Sequence, residues 1–347
     1  MSISKKYESV AVSSRIRLAR NFADYPFPAR LLRDAHAEEQ AQEIIQLVSA
    51  KLVGLDAFAL YEMKNLSDER AAFFMERNLI SRDLISNRRI SAALILRDES
   101  MSVMINEEDH IRAQYFMRGF DLEKAYERIS GIDDAISESI PFAYDDTFGY
   151  LTACPTNLGT GLRASVMLFL PALSRRGLMR RISPDLTRLG LTVRGALGEG
   201  SGAEGDLFQI SNEITLGDSE GDILRKVGRT VSTVVEFEIR ERDRMKAEEG
   251  LALKDKVMRS YGVLTNACRM DLKEFSVRIS DVKLGVALGY FKTEEADESL
   301  TELDDLFVEM RPANINRLNG APLAKEEQDE YRAEYASIKL RKMQLKA

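Results

Sequence analysis

Residues 149–167 read GYLTACPTNLGTGLRASVM. The opening residues, 149–153, have the character of a strand, and Pro155 with Gly159 and Gly161 then imposes a loop. Arg163 to Leu173 reads as the start of a helix, which places the loop at a helix N-terminus, where backbone amides favour anions. A cation there is disfavoured by the helix dipole unless an anion sits beside it, so Arg163 is singled out as a phosphate contact.

Working outward, three segments supply related chemistry: SSRIR at 13–17, NEEDH at 106–110 with Arg112, and RGALGE at 194–199. Together they offer five arginines (Arg15, Arg17, Arg112, Arg163, Arg194) and the carboxylate pair Glu107 and Glu108, in a chain of net charge -7. Several guanidinium forks converging on one pocket can neutralise a nucleoside triphosphate. Phosphoryl transfer asks a protein chiefly for positioning and positive charge, so no nucleophilic side chain is needed. Arg15 and Arg17 share one face of a strand. Taken singly, these motifs read more readily as exposed arginines or solvated acids. As a set they suit a polyphosphate and a basic acceptor.

The chain's 347 residues and 44% apolar content allow two domains, or one large domain with an appendage. No stretch approaches the ~18 apolar residues of a membrane span, and MSISKKYESV at 1–10 lacks a secretion signal's apolar run, so no membrane association and a cytoplasmic location are expected. Cys154 and Cys268 form no CxxC pair, and His36 and His110 leave few members for a triad or a metal site. The basic run Arg175, Arg176, Arg180, Arg181 and Arg188 lacks interleaved aromatics. It reads as a solvated face or a dock for an acidic or phosphorylated protein, not for nucleic acid.

Helical spacing appears over 34–53, 67–85 and 121–140, and a strand hairpin over 93–96 and 102–105, which puts NEEDH where the second strand ends. Strands follow at 191–197 and 206–216. Between them 200–205 matches G-x-G-x-x-G, but with a strand rather than a helix after it, so a loop closing over a nucleotide is the better reading than a dinucleotide fold. Ser219 with Asp222 announces a helix start, and 255–269, 271–291, 299–310 and 325–345 favour helix, with Pro312 and Pro322 as breaks. The expected fold is α+β: a mixed or antiparallel sheet flanked by helices over 1–250, then a small all-helical domain over 251–347.

SSRIRLAR, NEEDHIR, CPTNLGTGLRASV and RGALGEG, in that order, resemble the ATP:guanido phosphotransferase (phosphagen kinase) family, and more narrowly its bacterial protein-arginine kinase branch. The resemblance implies ATP and Mg2+ as cofactors, Glu108 as catalytic base, Glu107 as second carboxylate, and Cys154 as an auxiliary thiol near the acceptor guanidine. A buried inert thiol is the other reading of Cys154. It implies nucleotide and phosphate contacts from Ser13, Ser14, Arg15, Ile16, Arg17, Asn78, Arg112, Arg163, Ala164, Ser165, Val166, Met167, Arg194, Gly195, Ala196, Leu197, Gly198 and Glu199. It also implies protein substrates, a zinc-binding activator, a heat-shock repressor, a AAA+ protease, a stress-response role and a homodimer.

Small-guanidine kinases carry a helical domain before the SSR motif, whereas here that motif begins at Ser13, which favours arginine within a polypeptide over free arginine. Asn78 stands where bacterial kinases commonly have histidine. Gln328-Asp-Glu-Tyr-Arg-Ala333 resembles an allosteric phosphoarginine motif (Gln328, Asp329, Arg332, Ala333) but has glutamine for the first arginine, which removes a bidentate phosphate contact. A small-molecule arginine kinase and a non-catalytic phosphoarginine- or nucleotide-binding regulator remain the other two readings.

Overall fold

The computed structural model describes residues 7–28, 37–195, 204–291, 296–343 and 345. The chain divides into two compact units, Ser13–Val166 with Ser211–Arg229, and Met1–Val12 with Met167–Ile210 and Thr230–Ala347. They are called here the sheet unit and the helical unit.

In the sheet unit, β1 (Ala11–Arg20), β2 (Phe58–Glu62), β3 (Ala92–Leu96), β4 (Met101–Ile105) and β5 (Ile111–Arg118) lie in the order β2-β3-β4-β5-β1, each pair antiparallel. A two-stranded hairpin, β6 (Tyr144–Asp145) with β7 (Gly149–Tyr150), stands apart, and β8 (Leu162–Phe169) continues the order beyond β1. Helix α1 (Ala37–Val53) packs on α4 (Leu122–Ser137), and α4 on β5. Ile16 and Leu18 are sealed from solvent while Arg15 and Arg17 between them are half-buried, so the period of two read from SSRIR holds. Each buried Ile or Leu contributes roughly 2 kcal/mol of apolar transfer to this face.

Three local expectations change. The span 67–85 is two helices, α2 (Asp68–Glu76) and α3 (Arg82–Ser86), because Asn78 takes left-handed backbone (φ 58) after the last turn of α2 and Ser81 starts α3 by accepting Leu84 N–H. Strand β5, with its mixed sequence IRAQYFMR, is not anticipated at all. Arg163 to Phe169 is strand β8, not a helix start: Leu162, Ala164, Val166 and Leu168 are fully buried with a period of two. The strand expected over 149–153 shortens to β7.

In the helical unit the end of β8 is followed by β10 (Leu207–Asn212) and then β9 (Leu191–Gly195). Its helices are α5 (Pro171–Arg175), α6 (Met179–Arg188), most of α7 (Glu220–Asn266), α8 (Leu272–Ala287), α9 (Ala296–Glu309), α10 (Pro312–Asn319) and α11 (Lys325–Lys342). Ser219 Oγ accepts Asp222 N–H at 3.1 Å, the predicted cap of α7, and Gly250 kinks that helix with φ 45 and ψ -112. Pro312 starts α10 instead of ending a helix, since a proline at the first helical position loses no hydrogen bond. Phe169, Val257, Phe275, Val282, Leu303 and Leu340 belong to one apolar core. Among the described residues no helix is long and apolar enough to cross a membrane.

Candidate active site

Antiparallel pairing sets Arg15 opposite Phe116, Arg17 opposite Gln114 and Ala19 opposite Arg112, so all three arginines project from one face of β1 and β5. The Arg15 guanidinium donates from Nη2 to Gln114 Oε1 and lies 5.0 Å from the Phe116 ring centre. Gln114 is fixed in turn by donating to Asn78 O (2.7 Å), Leu79 O (3.1 Å) and Ser102 Oγ (2.7 Å). From β8, Arg163 donates through Nε and Nη2 to Ser211 Oγ at 3.2 and 3.0 Å.

The four cations press on one another. Arg15 is pushed down to about 9, first by burial and then by Arg112 and Arg163, and Arg17 is lowered by burial, Arg112, Arg15 and Arg163. A guanidinium keeps its proton across the working pH range, so the push expresses repulsion that the folded chain carries. Glu107 is the acid facing them. Burial raises its carboxyl, but Arg112, Ser81 and the Glu108 amide outweigh this and hold it below the usual carboxylate range. The buried Nε atoms of Arg15 and Arg112 have no hydrogen-bond partner, which is an unfilled demand for an acceptor such as a phosphate oxygen.

The NEEDH turn joins β4 to β5. Glu107 Oε1 accepts from both Ser81 Oγ and Arg112 Nη1, and its carbonyl accepts Asn87 Nδ2 at 2.9 Å. Glu107 is 1% exposed, and its carboxylate pairs with Arg112. Glu108, the next residue, is half-buried. Asp109 accepts Asn21 Nδ2 and Ala153 N–H, each at 2.6 Å, and its carboxyl is raised, chiefly by burial. His110 accepts Phe22 N–H at Nδ1 (3.1 Å), which leaves Nε2–H to donate to Pro26 O (3.0 Å); the ring stacks on Phe22, and burial pushes its pKa down to about 4. These two residues tie the turn to the segments at 21–26 and 153.

Beyond β7 the chain makes tight backbone passes to reach Arg163. Gly161 (φ 61) runs so close to β1 that a Cβ there would lie 2.5 Å from Ala19 O. Cys154 is half-buried with Sγ 3.0 Å from Thr156 Oγ1.

Other expected contacts separate. Ile16, Ala164 and Val166 are fully buried, with alternation placing their side chains opposite the arginine face. Ser14 is likewise committed, donating to Gly119 O (2.9 Å) and accepting Asp121 N–H (3.1 Å). Ser165 Oγ donates to Arg15 O at 3.3 Å. Ser13 is half-buried, and Asn78 is exposed, with its carbonyl taken by Gln114. Met167, Arg194 and Gly195 belong to the helical unit, and Ala196, Leu197, Gly198 and Glu199 lie outside the described residues.

The residues of the expected allosteric motif are buried or half-buried within the helical unit. Arg332 is 1% exposed, with Nε donating to Met310 O (2.9 Å) and Nη1 to Met270 O (2.8 Å) and Asp329 Oδ1 (2.7 Å). Gln328 donates to Asn316 Oδ1 and Leu323 O, and Ala333 is fully buried. These residues clamp helices together, because the guanidinium is spent on interior carbonyls. The basic run is partly neutralised within the unit as well: Arg175 pairs with Asp206 and Asp281, Arg176 with Glu248, and Arg188 with Asp185.

Sequence reasoning missed Ser81, Asn87, Gln114 and Ser211. Of these only Gln114 left a signal, two places after Arg112 in a run that could alternate.

Residues 40–241 match the model of the ATP:guanido phosphotransferase C-terminal catalytic domain. Among solved structures, lombricine kinase is similar with a TM-score of 0.58 and 25% identity, over 67% of this chain and 66% of that one. The duplicated taurocyamine kinase of Schistosoma mansoni shares the fold with a TM-score of 0.61 and 24% identity, over 77% of this chain and 40% of that one. An antiparallel sheet carrying converging guanidiniums beside adjacent glutamates is thus the guanido phosphotransferase catalytic fold. Residues 250–347 match the model of the protein-arginine kinase McsB C-terminal domain. The protein-arginine kinase of Caldanaerobacter subterraneus subsp. tengcongensis is 40% identical over 96% of this chain and 98% of its own length, and that of Clostridium acetobutylicum 39% over 97% of each. The chain belongs to the protein-arginine kinase family.

Proposed function

We propose that this protein is an ATP-dependent protein-arginine kinase that transfers the γ-phosphoryl group to arginine side chains of polypeptides. The observation that carries the proposal is the excess of positive charge on the half-buried Arg15, Arg17, Arg112 and Arg163, two of them with unpartnered Nε atoms, next to Glu107 and Glu108. A triphosphate meets that charge; a neutral or cationic ligand does not. Magnesium would arrive on the phosphates of the nucleotide.

In the proposed step an acceptor Nη attacks the γ-phosphorus, the bond to the bridging oxygen breaks, and ADP leaves. A guanidinium pKa above ~12 rules out prior deprotonation, so Glu108 orients the acceptor and takes the Nη proton as the N–P bond forms. Glu107 fixes Arg112, and the arginines stabilise charge on the transferring group. Cys154 would help hold the acceptor without forming a covalent intermediate.

Residues 251–347, which fall within the family match over 250–347, are read as a domain for pairing, phosphoarginine binding or partner binding. A homodimer, an activator and a cytoplasmic role in protein quality control belong to the same reading. Glu108→Gln is expected to abolish phosphorylation of protein substrate while leaving nucleotide affinity within about threefold; unchanged turnover would refute the assigned base.

A further inference from the structure

Tyr144, Phe148, Ile214 and Leu216 are exposed at 59%, 50%, 49% and 46%, and all belong to the sheet unit. They sit on two strips tied to the same loop. Tyr150, closing the first strip, donates its N–H to Gly159 O at 2.8 Å, and Thr160 N–H donates to Thr215 O, in the second strip, at 3.0 Å. Thr215 Oγ1 shares its one proton between Thr156 O (2.9 Å) and Leu158 O (2.7 Å), strapping the loop that follows Cys154. The first strip is held rigidly, with the Arg20 guanidinium 3.6 Å from the Tyr150 ring centre and paired with Asp133 at 2.8 Å.

The two strips connect through the loop to the turn that carries Glu108. Tyr150 is three residues before Ala153, so their Cα atoms are within about 11 Å, and Ala153 N–H bonds Asp109, the neighbour of Glu108. Asp146, at the tip of the hairpin, is exposed and adds negative charge to the apolar surface.

We infer that Tyr144, Phe148, Ile214 and Leu216 form a docking surface for the substrate polypeptide, taking apolar side chains a few positions from the acceptor arginine. The inference rests on the kinase reading and deepens it. Continuity with the loop of Cys154 and the turn of Glu108 selects this occupant, and Asp146 complements an arginine-bearing segment. Aromatic and aliphatic groups near a reacting centre bind extended chain through area, without reading a fixed sequence. The enzyme would therefore prefer arginines in segments whose apolar residues a folded protein hides.

The test uses the full chain and two short peptides with one central arginine, flanked on both sides by leucine in one and by serine in the other. Wild-type protein is expected to phosphorylate the leucine peptide with kcat/KM higher by about tenfold. Phe148→Ser with Leu216→Ser should erase that preference and leave the serine peptide and the KM for ATP unchanged. Equal use of both peptides by wild-type protein, or a preference that survives in the variant, overturns the inference. A variant that keeps the preference but changes the sedimentation coefficient identifies the patch as a contact between copies of this chain and overturns it equally. If neither peptide is phosphorylated the kinase reading fails, and binding of fluorescein-labelled leucine peptide decides the surface alone: tighter binding than to the serine peptide, lost in the variant, supports it, and equal binding sinks it.

Discussion

Glu107 shows how a residue's role depends on partners far away in sequence. Its carboxylate is shared between Ser81 and Arg112, and its carbonyl is held by Asn87, so the residues bounding α3 grip the turn that presents Glu108. Loosening that grip should displace the base, and through Glu107 also Arg112. Ser81→Ala and Asn87→Ala are each expected to lower kcat about tenfold, Asn87→Ala with the KM for ATP unchanged, and Ser81→Thr to restore most of the loss; steady-state kinetics on a protein substrate checks both. A rise in KM alone would assign these residues to binding. The alternation of Arg15 and Arg17 was readable from SSRIR because it is local. The duty of Glu107 was not, because Ser81 stands 26 residues upstream and reads as an ordinary helix cap.

At the scale of elements, the glycine-rich run 149–161 was recognised as a loop, but the residues after it were misread. LRASVMLF is buried on nearly every position, and a strand covered on both faces gives a near-continuous apolar run that resembles a helix. Arg163 reaches the site through strand alternation and its bond to Ser211, with no helix dipole involved. The loop itself is demanding: Gly161→Ala would press a Cβ toward Ala19 O and force a positive φ on alanine. A loss of about 1–3 kcal/mol is expected, measured as a lower urea midpoint at unchanged slope.

The NEEDH turn carries a pH signature as well. Burial pushes His110 down to about 4, against about 6.5 when unfolded. Between those values the unfolded chain takes up the proton and the folded chain does not, so this group's contribution to stability falls as pH drops through that window and is flat above it. The buried Asp109 carboxyl, raised by burial, acts with the opposite sign at lower pH. Comparison with His110→Asn isolates the histidine: the stability gap between wild type and variant should narrow from pH 7.5 to pH 5, and a constant gap would contradict the buried neutral imidazole.

Across the whole molecule, the succession of sheet and helical regions was legible from composition and periodicity, together with the helices around 255–345. The grouping of 167–210 with the C-terminal helices was not, since it depends on contacts between segments far apart in sequence. The helical unit depends on buried polar clamps that look like surface chemistry in the sequence, and Arg332 is the clearest case. Arg332→Ala removes bonds to Met270 O and Met310 O and strands Asp329, at an expected cost of about 3–5 kcal/mol. Gln328→Ala, whose bonds lie nearer the surface, should cost about 1 kcal/mol. Thermal unfolding checks the contrast, and near-equal small losses would speak against the clamp.

The central claim is phosphorylation of arginine inside a polypeptide. Purified protein is incubated with Mg-ATP and an arginine-rich unfolded protein, and in parallel with free arginine, and both are analysed by mass spectrometry without acid, which spares the phosphoramidate. Phosphoarginine within the polypeptide, with little on the free amino acid, is the predicted result. Label confined to free arginine, or found on neither acceptor, would contradict it.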